Sequence, residues 1–506
     1  MKRYTIKRAR NNSIVPAIVD DNGAKHALHS LFDPQKEAER LLGIRKDEGF
    51  LIFLGLGGGF SVVQALTCAR DIRLVLIVDY GREGLEELFS VIDYSLIMDD
   101  PRVFLLIDPS ALEIESFILE HYQPVLMNGM RVFPLRARID VESEPFRAAE
   151  AAINGAIKKV SADYSVQAHF GLRWFSNIVH NIQSIENIQN VKNTDPARKN
   201  AGQACWQGCF ERRSVKCASV TAAGPSLDRS LPLLQEQRTR RFIIATDTSL
   251  PALLAAGIEP DAVVSIDCQI WSYNHFFRRT RIPLFLDLAS PPLLAERSVA
   301  PYFFSGGHPL SRFFSRSGSD IPELDTSGGN VTYAAVSLAE ALGVERVELF
   351  GADFSYPLGI AYARGTWLHP FYDKQQNRFS PTETFFSHLI YRTPLEKRHA
   401  DGSWHYETPA LAMYRAKLAE RQWMPRKPAH ITAAHGAAPR AGFLAAYCER
   451  LRSLSFRHLD AQRLDAEGAA VIATLLPTAA ALKHRNPGLG GERLLEAARD
   501  WCMKRL

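Results

Sequence analysis

The chain has 506 residues, of which 60 are Lys or Arg, 55 are Asp or Glu, and 46% are hydrophobic. This length exceeds what one hydrophobic core usually supports and the composition excludes global disorder, so we expect two or three folded domains. The formal net charge of +5 is too small to indicate nucleic-acid binding.

The amino-terminal residues are basic, but no apolar stretch of the kind found in a secretion signal follows them. We find no apolar run long enough to cross a bilayer, and therefore expect a cytoplasmic protein without a membrane span. Seven scattered cysteines argue against a disulfide framework. The spacing of Cys205, Cys209 and Cys217 invites a zinc interpretation, but no fourth ligand stands at a familiar spacing, so reduced thiols are favoured.

Three short apolar runs indicate an α/β domain with a parallel sheet over residues 1–145. The runs are Leu51–Leu54, Leu74–Val78 and Val103–Ile107. A glycine cluster, Gly55–Gly59, follows the first run and Asp79 closes the second, which is the layout of a nucleotide site. The glycines do not have dinucleotide-fingerprint spacing, and any tight strand-to-helix turn uses glycine, so the structural interpretation is favoured here.

Residues 146–210 are predicted to be a helical connector, because apolar side chains recur at intervals of three and four. Strand patterns resume in a central domain, residues 211–425. These strands are Lys216–Val220, Arg241–Ala245, Ala262–Ile266, Leu284–Asp287 and Arg346–Phe350. Residues 426–506 are predicted to be a small helical region without catalytic residues. The predicted fold class is therefore α/β, with two Rossmann-like parallel-sheet domains plus a C-terminal helical region.

Polar residues of the central domain collect where strands end, which is where ligands bind in open α/β sheets. Gly224, Pro225 and Ser226 follow the first strand and offer bare backbone, a helix-start proline and a hydroxyl suited to an anion. Asp247 and Asp267 follow the next two strands. Their carboxylates suit ribose hydroxyls or a base amino group, but they also suit capping of the following helix.

The densest polar segment precedes a predicted amphipathic helix. Thr326 and Ser327 are residue types preferred at helix N-caps, and Gly328 and Gly329 leave the backbone bare. A helix that begins immediately after them would offer free N–H groups to a carboxylate or a phosphate.

A tyrosine-bearing loop follows the last strand. Asp353 stands three residues after that strand, and Tyr356 and Tyr362 stand six residues apart in the loop. Phenol hydroxyls can stabilise a leaving phosphate without titrating near neutral pH. For this loop taken alone, two ordinary half-buried tyrosines are the simpler interpretation.

Several motifs follow one another in order along the central domain. They are Ala223–Leu227, Pro260–Asp267, Ser327–Val331, Leu342–Gly343, and Gly351–Asp353 with Tyr362–Gly365. Together these motifs resemble the motility accessory factor family of flagellin glycosyltransferases. The resemblance implies an MptE-like central domain that transfers nonulosonic acids, such as pseudaminic or legionaminic acid, to flagellin serines and threonines. Residues His29–Ala38 with Gly55–Gly57 are also similar to the amino-terminal domain of that family.

The same motifs are distantly similar to bacterial sialyltransferases that use CMP-sialic acid. That similarity implies that Thr326, Ser327 and Gly328 bind the donor's carboxylate or phosphate. It also implies that Tyr356 and Tyr362 stabilise the departing phosphate.

A histidine general base after the second tyrosine is implied as well. His388 stands at about the right distance and His369 is nearer, so the assignment stays open. Ala223 and Asp247 stand where those enzymes have asparagines, so the nucleotide contacts do not transfer unchanged.

The function that the resemblance implies is inverting, metal-independent transfer from a CMP-activated nonulosonic acid to flagellin, with no further cofactor. One alternative is a 6-hydroxymethylpterin diphosphokinase that uses ATP and magnesium, with Asp247, Asp267 and Asp353 as metal ligands. A second alternative is a non-enzymatic flagellar assembly scaffold.

Overall fold

The computed structural model describes residues 3–20, 22–43, 48–68, 72–194, 216–299, 301–317, 321–400, 402–421, 442–456 and 466–506. The chain divides into two compact units. The first comprises Met1–Gly171, Ser455–Ala469 and Leu475–Asp500, and the second comprises Leu172–Leu454, Ala470–Thr474 and Trp501–Leu506. The domain boundaries given above stay predictions, and Cys205 and Cys209 of the zinc interpretation lie outside the described residues.

Up to Gly171, the described residues of the first unit form seven strands and seven shorter helices, followed by a long helix that contributes to both units. Its strands are β1 (Tyr4–Arg8), β2 (Ile14–Val19), β3 (Lys25–Ala27), β4 (Glu48–Leu54), β5 (Leu74–Asp79), β6 (Val103–Ile107) and β7 (Gly129–Pro134). Its helices are α1 (Pro34–Leu42), α2 (Phe60–Cys68), α3 (Arg82–Phe89), α4 (Ser95–Met98), α5 (Ala111–His121), α6 (Pro124–Met127) and α7 (Arg136–Ile139), and the long helix is α8 (Ser143–Thr194).

A four-stranded sheet of order β6-β5-β4-β7, parallel throughout, forms the centre of this unit. All six residues of β5 are buried, which explains why it was recognisable as a continuous apolar run. The three predicted strands are confirmed. The antiparallel sheet β1-β2-β3 and strand β7 were not predicted.

Protein side chains occupy the surroundings of the glycine cluster. Asp79 Oδ2 accepts from Leu56 N at 2.8 Å, and Asp79 Oδ1 accepts from the buried Arg138 Nε at 3.1 Å. His29 Nε2 accepts from Gly58 N at 2.8 Å. These contacts support the structural interpretation of this turn, because its acidic residue and its backbone already have partners.

The second unit and the end of the chain contain the remaining elements. The strands are β8 (Cys217–Thr221), β9 (Phe242–Thr246), β10 (Ala262–Ser265), β11 (Leu284–Asp287), β12 (Pro301–Phe304), β13 (Arg346–Phe350), β14 (Tyr356–Pro357), β15 (Glu396–Ala400) and β16 (Ser403–Glu407). The helices are α9 (Leu227–Glu236), α10 (Leu250–Ala255), α11 (Pro309–Arg316), α12 (Val331–Ala341), α13 (Leu368–Asp373), α14 (Thr382–Tyr391), α15 (Pro409–Glu420), α16 (Phe443–Ser453), α17 (Ala466–Arg485) and α18 (Gly491–Met503). The 3₁₀ helices among the described residues cover Arg238–Arg240, Ile270–His275 and Pro292–Arg297.

A six-stranded parallel sheet of order β12-β11-β10-β9-β8-β13 organises the second unit. The chain moves outward from β8 to β12 and then returns to the other side of β8 as β13. This reversal creates a topological switch point between β8 and β13, where open α/β sheets bind ligands. All five predicted strands of this sheet are confirmed, and so is the predicted fold class. Strand β12 and the small antiparallel sheet β14-β16-β15 were not predicted.

One described helix, α17, is long and apolar enough to cross a membrane by length and composition alone. This differs from the expectation that no such run exists. Half of its most apolar window is buried inside the protein.

Candidate functional site at the carboxyl edge of the central sheet

The loops that follow β8 and β13 are joined by hydrogen bonds at the switch point. Gly224 N donates to Gly351 O at 2.8 Å, and Ser226 N donates to Asp353 Oδ2 at 2.9 Å. A Cβ atom on Gly224 would lie 2.2 Å from Asp353 Oδ2, so this close approach requires glycine. Asp353 is therefore engaged in anchoring the start of α9, and Ser226, at the N-cap of that helix, makes no capping bond with its side chain.

The two aspartates at the ends of β9 and β10 have different surroundings. Asp247 is buried and accepts hydrogen bonds from Ser265 Oγ at 2.6 Å and Thr248 N at 2.7 Å. Asp267 keeps solvent exposure, and its Oδ1 accepts from Gln269 N at 2.8 Å. Neither carboxylate caps α10, whose N-cap residue is Ser249.

Asp247 and Asp267 share an electrostatic neighbourhood with a histidine. Surrounding protein raises the pKa of Asp267, and the Asp247 charge acts in the same direction. Burial lowers the pKa of His275, and both carboxylates oppose that shift. The ring of Trp367 lies edge-on to His275, with 6.2 Å between centroids. The structure therefore brings two predicted site residues together with a histidine that the motifs did not indicate.

The segment Thr326–Gly329 forms a turn before α12 rather than its first residues. The helix begins at Val331, and its N-cap is Asn330, whose side chain accepts from Tyr333 N at 3.0 Å. The expectation of an N-cap at Thr326 or Ser327 is therefore wrong. Asparagine is an equally good cap.

The turn satisfies part of its own backbone. Ser327 N donates to Asp325 Oδ1 at 2.9 Å, and Gly329 N donates to Thr326 O at 2.9 Å, with Gly329 at φ +73°. Gly328 lies so close to the ring of Tyr333 that a Cβ would stand 2.1 Å from it. The N–H groups of Ser327 and Gly329 are therefore already bonded within the turn.

The two loop tyrosines lie in one neighbourhood with a cation. Burial raises the pKa of both Tyr356 and Tyr362, and the charge of Arg392 opposes the shift at both phenols. The raised pKa keeps each hydroxyl protonated and neutral over the physiological range. Tyr356 lies in β14, opposite Tyr406 of β16, so the unpredicted antiparallel sheet fixes its position.

The two candidate histidines have different environments. His388 lies on α14 with an exposed side chain. His369 lies on α13 and packs against Phe386, with 4.7 Å between ring centroids. Its Nε2 is buried without a hydrogen-bond partner among the described residues.

Sequence reasoning missed a pair of asparagines that hold the loops after β10 and β11. Asn177 Nδ2 donates to Cys268 O at 3.1 Å and to Ala289 O at 2.8 Å. Asn181 Nδ2 donates to Leu288 O at 2.8 Å and to Ser290 O at 2.9 Å. Two amides four residues apart on an otherwise apolar helical face were the signal that could have identified them.

Asp287, at the end of β11, was also missed as a site residue. It is 6% exposed, and burial raises its pKa to about 7. In the described part of the chain, no three His, Cys, Asp or Glu side chains are grouped so that they could hold a metal ion.

Comparisons with known proteins support the family resemblance. Residues 176–359 match the family model described as 6-hydroxymethylpterin diphosphokinase MptE-like. The structure is similar to that of MAf glycosyltransferase from Magnetospirillum magneticum AMB-1, with a TM-score of 0.60 and 13% identity over 100% of this chain and 91% of that chain. These findings confirm the predicted MptE-like central domain and show that the fold resembles that of a MAf glycosyltransferase.

Two uncharacterized proteins of Treponema pallidum (strain Nichols) are also similar. One is 42% identical over 113 residues, which are 22% of this chain and 40% of that protein. The other is 24% identical over 260 residues, which are 51% of this chain and 53% of that protein. The chain thus matches about two fifths and about half of the length of these curated relatives.

Proposed function

From the MptE-like domain and the fold shared with a MAf glycosyltransferase, we propose that the chain transfers a nonulosonic acid from a CMP-activated donor to serine or threonine hydroxyls of flagellin in the cytoplasm. The observation that carries this proposal is the placement of Tyr356 and Tyr362. Both tyrosines follow β13 at the switch point of the central sheet, and both hydroxyls stay neutral. Both phenols also interact electrostatically with Arg392.

Such a reaction needs stabilisation of a departing phosphate. The bond between the anomeric carbon and the phosphate oxygen breaks, and the CMP phosphate leaves with the electron pair. Neutral phenol donors aimed at that oxygen lower the barrier because they interact more strongly with the developing charge than with the bound donor. Arg392 adds a positive charge to the same neighbourhood.

The remaining site residues bind different parts of the donor. Thr326, Ser327 and Gly328 bind the sugar carboxylate or the phosphate, and the loop of Gly224, Pro225 and Ser226 with Asp247 and Asp267 binds the nucleoside. An acceptor hydroxyl then attacks from the face opposite the phosphate, which inverts the anomeric centre. Neither a metal nor a further cofactor enters this scheme.

Tyr356→Phe and Tyr362→Phe, singly and together, test the proposal. Each removes one donor without changing the ring, so we expect CMP binding within about two-fold of wild type, and transfer to flagellin reduced about 10²-fold or more in the double variant. Tyr406→Phe is the matched control, since it changes a tyrosine of the neighbouring strand. Unchanged transfer by the double variant would contradict the enzymatic proposal and favour a scaffold.

The family model's description favours one other function, ATP-dependent pterin diphosphokinase activity. Diphosphoryl transfer needs a metal ion to bridge the phosphates. Calorimetric titration with CMP, CDP, UDP and ATP, with and without magnesium, separates the two functions. Metal-independent preference for CMP supports the glycosyltransferase, and magnesium-dependent preference for ATP supports the diphosphokinase.

A further inference from the structure

Asp287 occupies a rigid position at the carboxyl edge of the central sheet. Its Oδ1 accepts from Ala289 N at 2.7 Å, and Leu288 N donates to Phe304 O at 3.0 Å on the neighbouring strand. Asn181 holds the carbonyls on either side of Ala289. The loop that carries the carboxyl is therefore fixed by backbone bonds and by a buried amide, as a group that must meet a substrate requires.

The second oxygen of Asp287 lies beside a stretch of bare backbone. A Cβ on Gly306 would stand 1.9 Å from Asp287 Oδ2 and 3.1 Å from Thr326 Oγ1. Oδ2 and the Thr326 hydroxyl thus converge over Gly306, and no described residue donates a hydrogen bond to Oδ2. Thr326 is one of the residues proposed to bind the donor.

A buried carboxyl normally has a charged or hydrogen-bonding partner for each oxygen. Asp79, at the same position after β5 in the first unit, illustrates this with Arg138 on one oxygen and Leu56 N on the other. Asp287 forms no ion pair with a described residue, and burial is the main influence on its ionisation. The bond from Ala289 N accounts for Oδ1, but a structural role does not explain why Oδ2 lies at the site edge without a hydrogen-bond donor among the described residues.

We propose that Asp287 is the general base that activates the acceptor hydroxyl. Its Oδ2 takes the proton of that hydroxyl while the hydroxyl oxygen forms its bond to the anomeric carbon. The bond from that carbon to the phosphate oxygen breaks, and the phosphate keeps the electron pair. The inference rests on the proposed function and offers Asp287 as an alternative to His369 and His388 for the role of base.

The electrostatics of the site are compatible with this role. A base works best when its pKa lies near the operating pH, and burial brings the pKa of Asp287 to about 7. His308, two residues after Gly306, carries no charge in this range because burial lowers its pKa to about 3. Its Nδ1 accepts from Leu310 N at 3.1 Å, so it cannot serve as the proton acceptor through that nitrogen.

The test compares Asp287→Asn and Gly306→Ala with Gly307→Ala as the matched control. An added Cβ on Gly307 meets only Thr326 Oγ1, at an ordinary 3.8 Å. We expect Asp287→Asn to bind CMP within about two-fold of wild type but to lose about 10²-fold to 10⁴-fold in kcat for transfer to flagellin. Gly306→Ala should also lower kcat, because it displaces Oδ2, and Gly307→Ala should not.

A pH profile of the wild-type enzyme keeps the inference falsifiable if Asp287→Asn does not fold. We expect kcat to fall below an apparent pKa near 7, and formate to restore part of the activity of Asp287→Ala. Full activity of Asp287→Asn, or a wild-type profile flat from pH 5.5 to 8, overturns the role of Asp287 alone. Absence of both CMP binding and transfer in the wild-type protein overturns the proposed function and this inference together.

Discussion

Replacing Gly224 with alanine tests whether the crevice between β8 and β13 depends on the close contact of its two loops. The added Cβ would lie 2.2 Å from Asp353 Oδ2 and 2.5 Å from Gly351 O, both well inside van der Waals contact. The carboxylate can rotate away only by breaking its bond to Ser226 N, and a hydrogen bond to a charged group contributes about 1.5–3 kcal/mol. Gly351 O is backbone, so the loop itself must shift, which typically costs about 1–3 kcal/mol.

We therefore expect Gly224→Ala to lower the free energy of unfolding by about 2.5–6 kcal/mol. Urea unfolding measures the loss, and Gly307→Ala, whose Cβ has room, is the control. Asp353→Ala should cost less in the Gly224→Ala background than in wild type, since the carboxylate bond is already broken there. Equal stabilities of Gly224→Ala and Gly307→Ala, or full additivity with Asp353→Ala, would refute the reasoning.

Three further substitutions are expected to change the free energy of unfolding, measured by chemical denaturation. Arg138→Met leaves Asp79 buried without its cation and should cost about 3–5 kcal/mol, whereas Lys159→Met, which removes an exposed ion pair, should cost less than about 1 kcal/mol. Asn330→Ala removes the cap of α12 and should lower the free energy of unfolding by about 1 kcal/mol, whereas Asn330→Ser should keep most of the stability that the cap contributes. Asn181→Asp should destabilise more than Asn181→Ala, because it turns a carboxylate toward two buried carbonyl oxygens; the reverse order would contradict the assigned contacts.

Eight strands of the two parallel sheets were predictable because they appear in the sequence as short apolar runs. Strands β7 and β12, whose residues are only partly buried, were not predicted. Strand β5 is the clearest case, with every residue buried. Strand β15 has the sequence Glu-Lys-Arg-His-Ala and shows no such pattern. It is a strand because β16 pairs with it, and that pairing is a tertiary contact rather than a local preference.

The candidate site was predictable to the level of which loops form it. The polar residues at the ends of β8, β9, β10 and β13 do meet at one edge, as parallel topology requires. What each carboxylate contacts was not predictable, because the partner is distant in sequence. Asp353 bonds to Ser226 N across 127 positions, and the approach of Gly306 to Asp287 follows from the pairing of β11 with β12.

The two buried ionisable groups near Gly306 should influence stability in opposite directions as pH changes. Asp287 has a pKa of about 7 in the folded protein. Between the pKa of the unfolded chain and pH 7, the folded state therefore retains a proton that the unfolded state has lost. Because the folded state binds more protons in this range, the free energy of unfolding falls as pH rises. His308 has a folded pKa of about 3, so below its unfolded pKa the unfolded state binds the extra proton, and stability rises with pH. At 1.36 kcal/mol per pKa unit, each effect amounts to about 4–5 kcal/mol across its window.

Because these windows overlap between about pH 4 and pH 6.5, the two effects nearly cancel in the wild-type protein. Removing either group leaves the pH effect of the other group uncompensated. Relative to wild type, Asp287→Asn should become more stable as pH rises from 4 to 6.5, and His308→Gln should become less stable over the same interval. Guanidinium unfolding at half-unit steps of pH measures both slopes. Parallel pH profiles for the two variants would mean that at least one group is not buried in its neutral form, and the general-base role of Asp287 would lose its electrostatic support.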